Sequence, residues 1–173
     1  MSLQSQFVWM NGQLVPFESA TVHFLSPALH YGAAVFEGIR SYATPQGPAI
    51  FRAREHAERL LESAEVFGFR NLPWTADELV TAFCQTVHAN GFSECYIRPL
   101  IYLTDGGWNL NVDGGKPSLG IAVWEWTNYL GQDAMERGVR GNTSSFTRHH
   151  LNELMTKAKI SWYFANSFLA ITE

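Results

Sequence analysis

The chain has 173 residues, 46% hydrophobic, 14% aromatic and 16% charged, which is enough apolar material for one sizeable core or two small ones and excludes disorder as the main state. A charged fraction below the usual ~25% predicts that part of the exterior is covered, by a second copy or by a further domain. Twelve Lys and Arg against sixteen Asp and Glu give a net charge of −4 with no basic run, which argues against nucleic acid and membrane as partners and leaves small molecules and protein.

No run approaches the ~18 apolar residues that span a bilayer. Residues 1–30 lack the basic start and apolar stretch of a cleavable leader. Two cysteines, Cys84 and Cys95, show no paired spacing, so a reducing cytoplasm is expected and both thiols are expected to be buried spectators.

In chain order, Phe7–Met10 and Gln13–Val15 flank Asn11-Gly12, the turn pair that closes a tight β-hairpin. Ala34–Tyr42 and Pro48–Phe51 are β-prone runs separated by the turn Thr44–Gly47. Leu60, Leu61, Ala64 and Phe67 recur at helical spacing after the charged stretch Arg52–Arg59. Thr75 and Glu78 form a capping-box pattern ahead of the stripe Leu79, Val80, Phe83 and Val87, and Gly91 ends that second helix. Tyr96–Leu103 and Leu119–Trp126 are expected strands joined by a Gly-rich connection, and Val139–Phe146 is a third. Ala158–Glu173 is expected to be helical, with Phe164, Phe168 and Leu169 on one face. Strands on both sides of a helix pair predict an α+β fold, with a domain junction in Asn128–Gly138 that divides the chain into 1–128 and 129–173.

Few residues offer chemistry. Gly114-Gly115-Lys116 lacks P-loop spacing, no GxGxxG follows a strand, and the histidines do not fall at zinc-site spacing. Of three lysines, Lys157 and Lys159 lie together near apolar residues, where desolvation favours a neutral amine able to attack a carbonyl, although two surface lysines explain the pair as well. Arg98, alone in the apolar strand Tyr96–Tyr102, needs an anion: a substrate carboxylate, or an internal glutamate such as Glu37 or Glu94. Arg59, between Glu58 and Glu62, reads as solvated surface charge.

Four segments appear in a familiar order: His30-Tyr31-Gly32-Ala33-Ala34-Val35-Phe36-Glu37-Gly38-Ile39-Arg40, Arg54-Glu55-His56-Ala57-Glu58-Arg59-Leu60, Tyr96-Ile97-Arg98-Pro99-Leu100, and Thr156-Lys157-Ala158-Lys159. Together, from about Phe7 onward, the chain resembles the fold-type IV, pyridoxal 5′-phosphate-dependent branched-chain amino acid aminotransferases. The resemblance implies pyridoxal 5′-phosphate as cofactor, Lys159 as the Schiff-base lysine that also moves the substrate proton, and Arg59 as a contact to the cofactor phosphate. It places Tyr31, Phe36, Trp126 and Tyr129 around the substrate, with Tyr96 and Arg98 on its carboxylate side. Phe164 stands at a cofactor-contacting position where the family usually has a tyrosine, and Trp162 where it has a small residue. The implied reaction passes the amino group of leucine, isoleucine or valine to 2-oxoglutarate, in a homo-oligomer.

The family's second domain extends further than this chain, so the resemblance also implies an N-terminal portion with little or no turnover. D-amino acid aminotransferases and aminodeoxychorismate lyases share the lysine and the arginine, and a non-catalytic, self-associating fragment is the reading from a different class.

Overall fold

The computed structural model describes residues 5–105, 110, 115–125, 132–150, 152–153 and 155–173. Strands β1 (Phe7–Met10) and β2 (Gln13–Pro16) form the expected hairpin, with Asn11 at φ 48° and Gly12 at φ 100°. The positive φ at both turn residues matches the twist of the flanking strands. A short helix α1 (Pro27–Tyr31) follows, then β3 (Ala34–Phe36), β4 (Ile39–Thr44) and β5 (Gly47–Ile50). Helices α2 (Ala53–Phe67) and α3 (Ala76–Asn90) lead to the long pair β6 (Cys95–Asp105) and β7 (Lys116–Trp124). The chain then forms α4 (Gln132–Arg137), a 3-10 turn at Ser161–Phe164 and α5 (Ala165–Ile171).

All strand pairings are antiparallel, in the order β2-β1-β7-β6-β4-β5, with β3 also on β6. Strand β6 therefore carries β4 beside its first half and β3 beside its second. One sheet face packs against α2 and α3: Val35, Ile39, Ile97, Ile101, Leu119, Ile121 and Val123 meet Leu60, Ala64, Leu79 and Phe83, all fully buried. Each such Leu or Phe contributes roughly 1.5–3 kcal/mol by leaving water. The α+β fold expected from the sequence is the one found.

Helix α3 starts as predicted. The Thr75 hydroxyl accepts from the Glu78 N–H at 3.3 Å, the Glu78 carboxylate accepts from the Thr75 N–H at 2.8 Å, and Gly91 closes the helix at φ 68°. Helix α2 ends on Gly68, whose φ of 108° lets its N–H reach the carbonyls of Ala64 and Glu65.

Three expectations are corrected. Val139–Phe146 forms no strand: almost all of it is exposed, and no described strand pairs with it to take up its backbone groups. The last segment turns helical only from Ser161, as a 3-10 turn that leads into α5, because Ile160 first pairs with Val35 as an extended residue; Phe168 and Leu169 are exposed. Cys84 is exposed on α3, whereas Cys95 is buried.

Candidate functional site

The site grows from an interruption in the sheet. Pro99, mid-strand in β6, has no N–H to donate, and opposite it Glu37-Gly38 separates β3 from β4. The register continues across the gap, Phe36 opposite Leu100 and Ile39 opposite Ile97, and the Glu37 N–H donates to the Pro99 carbonyl at 3.1 Å. Alternation then places Val35, Glu37 and Ile39 on the helix-facing row, and Phe36 and Gly38 on the other.

A carboxylate in that buried row needs donors, and α2 supplies them. Glu37, 0% exposed, accepts from Arg59 Nε at 2.5 Å, from Arg59 Nη2 at 2.6 Å and from His56 Nδ1 at 2.9 Å. His56 and Arg59 are three residues apart on one helix face. The hydrogen bond to Glu37 raises the Arg59 pKa further. Surface charge among Glu58 and Glu62 is thus the wrong account of Arg59: two of its guanidinium nitrogens are committed to a buried acid, while the side chain as a whole remains 53% exposed.

Lys159 is attached to the edge of β3. Its carbonyl accepts from the Phe36 N–H at 3.1 Å, and its own N–H donates to the buried Ser63 hydroxyl of α2 at 3.1 Å. The flanking Ala158 and Ile160 enter the core, so the Lys159 side chain projects to the opposite face, beside Phe36. Its Nζ lies 4.4 Å from the Phe36 ring centre and 5.9 Å from that of Phe164. Burial pushes the amine below its usual pKa; Glu37 opposes this, and Arg59, Arg98 and Arg148 reinforce it. Lys157 is exposed, which separates the two lysines that the sequence left as a pair.

Arg98 takes neither of the glutamates expected for it. Its Nη2 donates to Tyr96 Oη at 3.0 Å, and its guanidinium lies 4.6 Å from the Phe36 ring centre, 5.2 Å from Tyr96 and 5.8 Å from Trp124. Its Nε is buried with no hydrogen-bond partner among the described residues. At Gly38 a Cβ would collide with Tyr96 Oη and sit 2.9 Å from its Cζ, so a side chain there displaces the tyrosine. Arg98 also borders an apolar groove of about 460 Å³ with Leu100, Tyr102, Met10 and Val22.

Phe164 lies 5.8 Å from Phe36 with the two rings tilted by 45°, and Trp162 turns its ring edge-on to Phe67 of α2 at 6.0 Å. Tyr31 lies at the exposed end of α1 with its ring beside His30, 6.3 Å away. Trp126 and Tyr129 lie outside the described residues. The structure thus gathers Lys159, Phe36, Phe164, Arg98 and Tyr96. The sequence offered Glu37 only as a partner for Arg98; its pairing with Arg59 and His56 was missed, the one signal being an acid in a β-prone, otherwise apolar run. An amine with a lowered pKa, between two rings and near an exposed guanidinium and an unpaired buried Nε, suits an anionic carbonyl compound.

The family model for class IV amino-transferases matches residues 34–170. The branched-chain-amino-acid aminotransferase of Pseudomonas aeruginosa is 43% identical over 166 residues, covering 96% of this chain and 54% of that protein. The crystal structure of the Escherichia coli branched-chain amino acid aminotransferase superposes with a TM-score of 0.91 at 40% identity, over 95% of this chain and 54% of that one. The branched-chain aminotransferase of the thermophilic archaeon Thermoproteus uzoniensis, solved with norvaline, gives a TM-score of 0.89 at 41% identity, over 97% and 55%. The chain spans about half the length of the curated relatives it matches. On sequence and fold alike, the chain belongs to the class IV aminotransferase family.

Proposed function

We propose that these residues form the lysine-bearing part of a branched-chain amino acid aminotransferase, moving the amino group of leucine, isoleucine or valine to 2-oxoglutarate with pyridoxal 5′-phosphate as cofactor. The observation that carries this reading is the Lys159 amine, pKa lowered by burial, held 4.4 Å from the Phe36 ring by main-chain bonds at both its N–H and its carbonyl.

The residues present fit the cofactor's chemistry. Pyridoxal 5′-phosphate, when bound, supplies an aldehyde for the lysine and a conjugated ring that accepts the electrons left when the substrate Cα–H bond breaks. Lys159 Nζ, its pKa lowered by burial, takes that proton and returns it. The free edge of Arg59 holds the phosphate, and Phe36 and Phe164 exclude water around the amine. Arg98, with Tyr96, receives a substrate carboxylate, and the groove beyond it accepts an apolar side chain. Trp126, Tyr129 and Tyr31 complete the substrate wall in the same reading.

Among the described residues this reading gives the phosphate one guanidinium edge, a weak hold on a dianion, so we expect little or no turnover from these 173 residues. The reading also includes a boundary between 1–128 and 129–173, a cytoplasmic location and a homo-oligomer. Exposed Phe24, Leu25 and Leu29 support the last of these. None of the helices among the described residues is long and apolar enough to cross a membrane.

The test is to incubate the chain with pyridoxal 5′-phosphate, reduce with borohydride and map the modified peptide. Stoichiometric label on Lys159 alone is expected. Label scattered over Lys116, Lys157 and Lys159, or none, overturns the reading.

A further inference from the structure

We infer that Glu37 is a positioning residue, a buried carboxylate that clamps Arg59 side-on so that the opposite edge of its guanidinium faces the anion to be bound. This rests on the proposed use of Arg59 as the phosphate contact.

The argument starts from cost. An acid in the row of Val35 and Ile39, wholly removed from water, is expensive even when paired, and an apolar residue there would serve the core as well. Three donors converge on it from one helix, Arg59 through Nε and Nη2 and His56 through Nδ1, and a longer bond of 3.4 Å comes from the neighbouring Gly38 N–H. The contribution of Glu37 is therefore directional. A half-exposed arginine alone samples many rotamers; one paired through its Nε–Nη2 edge keeps only the Nη1–Nη2 end free, aimed away from the acid. His56 bonds Oε2, the oxygen that also takes Arg59 Nη2, and so limits rotation of the carboxylate itself. Glu37 is also the anion that opposes the three arginines acting on Lys159. One carboxylate thus acts on both proposed cofactor contacts while touching neither the aldehyde nor the phosphate.

The experiment compares the affinity of the chain for pyridoxal 5′-phosphate with that for pyridoxal, which lacks only the phosphate, by absorbance titration. The hemiacetal formed by free pyridoxal cancels when the ratio is compared between variants. Arg59→Ala is expected to abolish the preference for the phosphate; if it does not, the use of Arg59 fails and this inference falls with it. Glu37→Gln is expected to lower the preference about tenfold; the loss of its charge near Lys159 alters both affinities alike and cancels in the ratio. A wild-type ratio in Glu37→Gln, with Arg59→Ala impaired, overturns the inference and leaves the proposed function standing. Should Glu37→Gln lose its circular dichroism signal, the wild-type chain decides: the ¹⁵N-edited Nε–H signal of Arg59, assigned by its loss in Arg59→Lys, is expected to be sharp and slow to exchange at neutral pH. A rapidly exchanging signal shows an unclamped side chain and overturns the inference.

Discussion

The main-chain N–H of Phe36 donates to the carbonyl of Lys159 while the Phe36 ring lies 4.4 Å from the lysine's Nζ, so one residue both fixes the lysine's backbone and dries its amine. The two effects are separable, because only the second needs the ring. Phe36→Ala is expected to keep the main-chain bond and admit water to Nζ. Burial lowers the Lys159 pKa, so hydration raises it back toward 10.5 and shrinks the neutral fraction at pH 7–8. The pH–rate profile for acylation of Lys159, followed by peptide mass spectrometry, should move to higher pH; an unmoved profile contradicts this.

Gly38→Ala drives a methyl group into Tyr96 Oη and to 2.9 Å from its Cζ. The tyrosine must move, and Arg98 Nη2 loses its acceptor. Urea unfolding is expected to show a loss of about 1–3 kcal/mol. Adding Tyr96→Phe should recover part of it by removing the nearer atom, and a fully additive double variant would contradict this account.

Cys95 links stability to alkaline pH. Burial pushes its thiol up from 9.0 to about 11, so the folded chain retains a proton that the unfolded chain releases. Between those values the unfolded state binds fewer protons, and stability falls as pH rises, by at most about 1.4 kcal/mol per unit. Stability from this source is fully present below about 9 and lost through about 11. Urea midpoints from pH 8 to 11 should fall less steeply in Cys95→Ala than in the parent, with buried Tyr102, also raised, keeping a residual slope.

Thr75→Ala removes the capping box of α3, far along the chain from Lys159. A loss of about 1 kcal/mol is expected in chemical unfolding. The Lys159 acylation profile should not shift, and a shift would mean that the site depends on α3 more widely than its hydrogen bonds indicate.

Local signals were the legible ones. Asn11-Gly12 and Thr75, Glu78 and Gly91 each specify backbone geometry within a few residues, and the hairpin and α3 formed where they placed them. Lys159 was separable from Lys157 only through the resemblance, since composition treats both alike; in the structure it is the pairing of Ile160 with Val35 that turns one of them inward. The Glu37–Arg59 pair spans 22 residues and joins a strand to a helix, whereas Glu58 and Glu62 stand much closer to Arg59 in the sequence. Val139–Phe146 shows why β-prone composition alone is weak: without a described strand to pair with, those residues stay in solvent outside the sheet.

Arg59 and Ser63 are one helical turn apart on α2, the first bonded to Glu37 and the second to the Lys159 N–H. A single rigid rod therefore holds both contacts, with its two points of attachment separated by the rise of four helical residues, about 6 Å along its axis. Sliding or tilting α2 would carry both attachments together, so the strand that bears Glu37 and the segment that bears Lys159 are coupled through one helix.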